Sequence, residues 1–577
     1  MRSQLDSLAQ SRIARWITEP SRLWRVPVVI FFLLLLTGFL GAAQTGLFDR
    51  DEPRNAQAAR EMLRSGDWLV PSFNGEPRLQ KPILIYWLMA ASYRIFGDNA
   101  TAARLPSIVS AAGAGVLVYL FAAKWFGRRV AGWSIIIWAT LPLTLAESRM
   151  ATTDSLLNFQ VMANMLCLAG LYQGPSAALA RLFWLMFGLS VLTKGPVAVL
   201  PIAGAVIFTR YATGVKLPWA WLRPGEGILL CSALVLPWLV AVSVATDGEF
   251  LRFAVGREML GRTIRPAEGH WGLPGYYLAM LPVMFFPWFA FLPRAISDAW
   301  RQRKTDPRLA FLLGWAVLPL VPLELMATKL VHYHYPSYAA LAVLVGREIY
   351  CLEQVGTRPY LLAGGRFIRG SVIGMSALAA ALFLGFAWTG TWLVSAGSLV
   401  VAAVFIGGLV VMIPQVQQGA WRKLMPTLAV TWAAVVLITI AWVLPASQRG
   451  AASHRVAARL QELSRQLQVT AILGEYREPS VIFDLRSDRP VVISRKLADI
   501  RRIVRETGAV VMPVLADDLA IMQKANDLEV QVVGEVRAFD FQQGRRREIG
   551  LAVVSLKPEE RVAMIRELSG RDTTKLR

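Results

Sequence analysis

GLFDRDEPRNAQAAREMLRSGDWLVPSFNGEPRLQKPILIYW, residues 46–87, sets the reading of everything around it. It belongs to a polar loop from about residue 45 to 104, flanked on both sides by apolar spans, and loops that long are functional or disordered. This one keeps structure. Ala56, Ala59, Met62 and Leu63 share one face of a helix that Pro53 can open at its first turn and Gly66 can close. Pro82 to Phe96 then runs apolar and aromatic for about fifteen residues, short for a crossing, which suits a helix lying at the membrane interface.

Outward from that loop the chain is a frame for it. Of 577 residues, 55% are hydrophobic and 17% charged, with a mean hydropathy of +0.45, and no soluble domain needs so much apolar length. The class is a polytopic α-helical membrane protein. Cys167, Cys231 and Cys351 fall in or near the apolar half and suggest neither a disulfide framework nor a Cys-ligated metal. A formal charge of +22 raises nucleic acid as a partner, but the Lys and Arg line up beside the spans, so no nucleic acid is expected and membrane lipids are. Arg2, Arg12, Arg15, Arg22 and Arg25 precede an apolar run from Val26 to about Ala43, read as an uncleaved first helix with its N-terminus in the cytoplasm.

Further spans are drawn at Leu105–Ala123, Val130–Ala146, Ser155–Tyr172, Leu182–Leu192, Pro196–Arg210, Gly227–Ala245 and Leu273–Pro293. Leu309–Met326, Leu330–Val345, Phe367–Trp388, Thr391–Ile413 and Leu424–Leu444 follow, so that with the first helix there are about thirteen. The odd number puts the termini on opposite sides. Positive charge supports the drawing: inner loops carry groups such as Arg294, Arg301, Arg303, Lys304 and Arg308, whereas short outer loops hold Arg149, Lys194 and Lys329 singly. Two long outer segments break the pattern. They are Asp49–Arg104 and Thr246–Trp271, the latter with Arg252, Arg257, Arg262 and Arg265.

Residues 1–445 thus form the membrane domain, and from 446 to 577 the composition turns charged and mixed. Runs at Val469–Leu473, Val481–Leu485, Pro490–Ser494, Ala509–Leu515, Val530–Val536 and Leu551–Leu556 read as strands. Helical patterns at His454–Leu467, Leu497–Thr507, Asp517–Ala525 and Glu559–Leu568 alternate with them. The expectation is a C-terminal extracytoplasmic, periplasmic α/β domain of about 130 residues.

The chemistry gathers on the outer side. Asp49, Asp51 and Glu52 follow the first helix, and an acid at a helix start is commonly a cap. The same loop, however, holds Arg54, Arg78, Lys81, Arg94 and Arg104. Carboxylates beside a basic cluster at a membrane surface suit a reaction in which an acid activates a group while cations hold phosphate oxygens. Asp154, Lys194 in Thr193-Lys194-Gly195-Pro196, and Lys329 each end a span, where a charge is functional or simply snorkels. His270, His332 and His334 share that side and are candidates for contact with a metal or phosphate, although no HExxH-like spacing appears.

Together Asp51-Glu52-Pro53-Arg54, Arg60-Glu61-Met62, Gly66-Asp67-Trp68 with Pro71, Lys81-Pro82 with Tyr86-Trp87, and Ala103-Arg104-Leu105-Pro106-Ser107 resemble the first outer loop of the GT-C glycosyltransferases. Within that fold the chain is most similar to the aminoarabinose lipid A transferase (ArnT)-like family, with the protein O-mannosyltransferases further off. The resemblance continues through Asp154, Thr193-Lys194-Gly195, the Pro-Trp pairs at 237–238 and 287–288, and Lys329-Leu330.

It implies transfer of a sugar from a polyprenyl-phosphate donor to lipid A, lipopolysaccharide core or another envelope glycan at the periplasmic face of the bacterial inner membrane. Carried over by motif, Asp51 is the catalytic acid or base, with Asp49 and Glu52 beside it and the roles of the two aspartates exchangeable. Arg54, Lys81, Arg104, Lys194 and Lys329 hold phosphate, and Asp154 orients these groups or the sugar. Departures matter. Asn55, Gln57 and Gln80 stand where the lipid A enzymes show Tyr, Glu and Glu. The last acid, with a His matching His270, is associated with a divalent metal, so Gln80 argues against tight metal binding, and the loss of two acids, at Gln57 and Gln80, argues against a cationic aminosugar and for a neutral or acidic sugar. A protein O-mannosyltransferase-like enzyme is the alternative within the class. A flippase or transporter is the alternative outside it, disfavoured because the charges gather at one membrane face and no inverted repeat is visible.

Overall fold

The computed structural model describes residues 25–48, 50–264, 271–354, 365–389, 391–448, 451–525, 527–540 and 545–558. Asp49, His270 and the expected helix Glu559–Leu568 lie outside these. The chain divides into two compact units, one of Met1–Ala43, Trp68–Val70 and Leu79–Val443, the other of Gln44–Asp67, Pro71–Arg78 and Leu444–Arg577.

The first unit is helical. Among the described residues nine helices are long and apolar enough to cross a membrane, or up to ten if the bent pair Tyr276–Met284 and Trp288–Gln302 counts as one. The chain is therefore a multi-pass membrane protein. Three expected spans do not meet that measure. The stretch Val130–Ala146 breaks into Arg128–Thr140 and Pro142–Glu147 because Pro142 has no N–H to continue the ladder. Asp154–Leu171 carries Asp154, Asn158, Gln160 and Asn164, and Tyr338–Gln354 is 17 residues long. Leu182–Leu192 proves longer than expected. It runs from Ala177 to Lys194 because Ser176 caps it, accepting from Leu179 N at 3.3 Å. Helices Val199–Thr213 and Pro307–Val317 meet at Gly204 and Gly314, where a Cβ on either residue would run into the other's carbonyl oxygen. Small residues let two backbones approach that closely. Behind them Trp138, Trp288 and Trp315 fill the bundle core, all fully buried.

In the second unit the loop helix runs from Asp51 to Ser65 and ends on Gly66, whose φ of 76° needs the left-handed freedom of glycine. A two-stranded hairpin, Ser72–Phe73 with Glu76–Pro77, follows. The Glu61 carboxylate holds it, accepting from Ser72 Oγ at 2.8 Å, Asn74 N at 2.7 Å and Gly75 N at 3.1 Å. Arg60 lies 3.8 Å over the Phe483 ring and donates to the Phe483 carbonyl at 2.6 Å. The C-terminal part is a small mixed sheet in the order Thr470–Ala471, Ala509–Val514, Arg545–Leu556, Leu528–Asp540, parallel at its first pair and antiparallel beyond. Two expected strands are absent from it. Val481–Leu485 lies in the helix Pro479–Leu485, opened by Pro479 at its first position. Pro490–Ser494 contributes only the bridge of Ile493 to Leu473.

Candidate active site

In the first unit the bundle leaves a cavity of about 490 Å³. Its walls are largely aliphatic, with Leu157, Val191, Leu200, Val235, Leu239 and Val255 among them. At its polar end stand Gln80, Lys81, Asp154, Lys194, Arg262 and Tyr333, with Glu258 and His332 beside them. Of the residues expected from sequence, the fold thus brings together Lys81, Asp154, Lys194 and His332.

One buried and one half-buried ion pair organise that end. Asp154 opens its helix and Lys194 closes another, and Lys194 Nζ lies 2.5 Å from Asp154 Oδ1. Lys194 also sits 5.3 Å over the Tyr333 ring. Opposite, the segment Glu249–Ile264 is helical and turns into a wider coil over Arg252–Gly261, presenting Leu251, Val255, Glu258 and Arg262 to the cavity. Arg262 pairs with Glu258 at 2.9 Å and donates from Nη1 to the Tyr333 hydroxyl at 2.8 Å. Burial works against the Arg262 charge, but Tyr333 and Glu258 outweigh it and raise its pKa, so the guanidinium is a permanent cation. From sequence Arg262 is one of four charges in an outer segment, and no motif marks Tyr333 or Glu258. The segment's break with the charge asymmetry was the available signal for Arg262.

Other expected residues are engaged elsewhere in this unit. Arg104 is buried and donates to the Ala42 carbonyl at 3.0 Å. Lys329 is buried too, giving its ammonium to the carbonyls of Leu323 at 2.8 Å and Glu324 at 2.6 Å at the end of the helix Leu320–Leu325. His334 Nε2 meets the Ala316 carbonyl at 2.8 Å, and His332 Nδ1 lies 3.8 Å from Glu147.

Within the second unit Asp51 begins its helix with a side chain 43% exposed, its Oδ1 3.5 Å from Arg78 Nη2 and 3.9 Å from Arg54 Nη1. Arg78 also donates to Asn55 Oδ1 at 3.0 Å, a link that spacing alone did not reveal. Glu52 ties the preceding loop to the helix. It is fully buried and accepts from Phe48 N at 2.6 Å.

The metal implied by resemblance was tested against these groups. Gln80 presents a buried Oε1 without a hydrogen-bond partner on the cavity wall, an amide where a hard cation wants a carboxylate. Among the described residues no three His, Cys, Asp or Glu side chains converge. Among the described residues, the Gln80 amide thus argues against a tightly held divalent ion.

Residues 80–240 match the family model described as dolichyl-phosphate-mannose-protein mannosyltransferase. An undecaprenyl phosphate-alpha-4-amino-4-deoxy-L-arabinose arabinosyl transferase of Pseudomonas aeruginosa (strain UCBPP-PA14) is 30% identical over 369 residues, 63% of this chain and 65% of the relative. Its namesake in Aeromonas salmonicida (strain A449) is 32% identical over 340 residues, covering 58% and 61%. The match therefore spans under two thirds of either relative's length. The crystal structure of ArnT from Cupriavidus metallidurans bound to undecaprenyl phosphate superimposes with a TM-score of 0.72 at 20% identity, covering 91% of this chain and 97% of that one. In sequence along the matched stretch the chain is similar to these arabinosyl transferases, along residues 80–240 it matches the protein mannosyltransferase model, and nearly its whole length shares the fold of ArnT.

Proposed function

We propose that the chain is an integral inner-membrane glycosyltransferase. It moves a sugar from a polyprenyl-phosphate carrier to lipid A, lipopolysaccharide core or another envelope glycan at the periplasmic face. One observation carries the reading: a single cavity has largely aliphatic walls and, in the same lining, three cations, Lys81, Lys194 and Arg262. A prenyl chain needs the first and its phosphate needs the second. The names of the relatives and the undecaprenyl phosphate in the ArnT structure support that donor class.

In this reading the bond from the sugar's anomeric carbon to the phosphate oxygen breaks as a bond to an acceptor oxygen forms. Lys81 and Arg262 stabilise the charge that develops on the departing polyprenyl phosphate, Lys194 adds to their field, and Asp154 fixes Lys194. Asp51 takes the acceptor's proton, with Arg78 and Arg54 beside it. Lys329 and Arg104 serve by positioning backbone. Both carboxylates on the cavity wall, Asp154 and Glu258, are matched by Lys194 and Arg262, and Gln80 is neutral. The sugar is therefore a neutral or acidic one. Topologically, Arg128–Glu147, Asp154–Leu171 and Tyr338–Gln354 join the apolar helices to give about thirteen spans, with the N-terminus cytoplasmic and the C-terminal unit periplasmic.

The match of residues 80–240 to a protein mannosyltransferase model favours one second reading, a protein as acceptor. Mass spectrometry of lipid A, core oligosaccharide and envelope proteins, from cells with the chain, without it and with Asp51→Asn, separates the two. A glycan mass lost in both altered samples establishes transfer and locates the acceptor. No change in any glycoconjugate, with a lipid-linked sugar failing to cross the membrane, moves the flippase reading ahead.

A further inference from the structure

The second unit holds a cavity of its own, about 510 Å³, distinct in composition from the aliphatic channel. Five arginines line it, Arg50, Arg54, Arg477, Arg495 and Arg547, against two acids, Glu475 and Glu478. Phe73, Tyr476, Ile482 and Ile493 make its apolar walls. Local acids balance part of that charge. Arg495 contacts Glu475 and, from outside the lining, Asp518, both at 3.1 Å, while Arg50 is 3.7 Å from Glu478 and Arg54 3.9 Å from Asp51. Arg495 and Arg50 keep 51% and 43% of their side-chain surface open to solvent.

A fold that needed these arginines only for solubility would scatter them over its surface. Gathering them around one concavity raises their mutual repulsion, which an anion relieves. Guanidinium forks match phosphate oxygens two at a time, and the volume falls in the range of small-ligand sites. An aromatic and aliphatic wall beside them suits the apolar face of a sugar ring.

We propose that this cavity binds a phosphorylated saccharide. The presence of the site stands on its own residues. Its assignment to the acceptor's headgroup, whether carried on a glycolipid or soluble, rests on the proposed transferase reading.

The test uses the full chain in lipid nanodiscs. Binding of N-acetylglucosamine 1-phosphate, of N-acetylglucosamine and of inorganic phosphate is measured by calorimetry for the wild type, Arg547→Gln and Arg495→Gln/Arg547→Gln. The expected result is that the sugar phosphate binds at least tenfold more tightly than either the bare sugar or phosphate. Its affinity falls about threefold in the single variant and at least tenfold in the double, and weakens as salt is raised. Equal affinity for sugar and sugar phosphate overturns the proposal, as does phosphate binding as well as the sugar phosphate, or unchanged binding in both variants. Undecaprenyl phosphate binding is measured on the same samples and is expected to stay at the wild-type value, which also shows that the variants are folded. Should the wild type ignore undecaprenyl phosphate yet bind the sugar phosphate, the transferase reading falls and this site remains. A phosphorylated glycolipid in the nanodisc that competes with the soluble probe identifies the lipid as the source, and one that does not identifies a soluble ligand.

Discussion

Lys194 Nζ lies 2.5 Å from Asp154 Oδ1, joining the last residue of one helix to the first residue of another forty positions earlier. Their side chains are only 12% and 8% exposed. Removing one partner of a buried pair leaves a charge stranded, which costs about 3–5 kcal/mol, whereas replacing both with apolar groups is often neutral. Lys194→Met should therefore lower the thermal unfolding temperature in detergent sharply, and Asp154→Leu/Lys194→Met should recover most of it. Sugar transfer should be lost in both. Single variants that unfold at the wild-type temperature would show that the pair carries no such energy.

Neighbouring acids divide between chemistry and structure. Asp51 is half open and faces two arginines, while Glu52 is buried and satisfies the Phe48 amide. Asp51→Asn is expected to abolish transfer with the unfolding temperature unchanged. Glu52→Gln, weakening a bond to a buried carboxylate, should cost about 1–3 kcal/mol of stability and leave substantial transfer. Asp49→Asn should reduce transfer less than Asp51→Asn. An equal loss of transfer in the two aspartate variants would remove the preference for Asp51.

Arg262 and Lys329 offer a contrast between binding and support. Arg262→Gln takes a cation from the cavity's polar end, so undecaprenyl phosphate should bind about tenfold more weakly, the worth of one charge-assisted hydrogen bond. Lys329→Met strands two carbonyls instead, and should lower stability by about 1–3 kcal/mol with binding of the same probe unchanged. Titration of nanodisc samples, read beside thermal melts, separates these. Weaker binding by Lys329→Met at unaltered stability would return that lysine to the phosphate.

Much of this was legible in the chain, and what was hidden has a physical cause. Apolar length reveals spans, Gly66 announces the end of the loop helix, and the periods of Leu497–Thr507 and Ala509–Leu515 are realised as helix and strand. Val481–Leu485 misled because a short apolar run suits either state, and Pro479 two residues upstream decides for helix. Asp154 and Lys194 could be suspected separately, each ending a span, but their pairing depends on how two helices pack. The Arg262–Tyr333 bond joins residues 71 apart, and no local pattern encodes it. Lys329 looked like a ligand because charge near a membrane is expensive. Two carbonyls that need a donor explain that charge equally well.

Gln80 gives the sharpest test of the sugar. Its amide oxygen is buried on the cavity wall without a hydrogen-bond partner, and the two wall carboxylates already face cations. An ammonium on the sugar would find both wall carboxylates engaged by cations and an amide, Gln80, where a third acid could have stood. A hydroxyl can instead donate to the amide oxygen or accept from its nitrogen. Wild-type protein should thus transfer a neutral pentose from undecaprenyl phosphate at least tenfold faster than 4-amino-4-deoxyarabinose, measured as kcat/KM with each conjugate. Gln80→Glu adds a carboxylate at that point and should bring the ratio toward unity or invert it, because an ion pair in a low-dielectric pocket is worth more than the hydrogen bond it replaces. If the wild type prefers the aminosugar and Gln80→Glu changes nothing, another carboxylate must serve the ammonium.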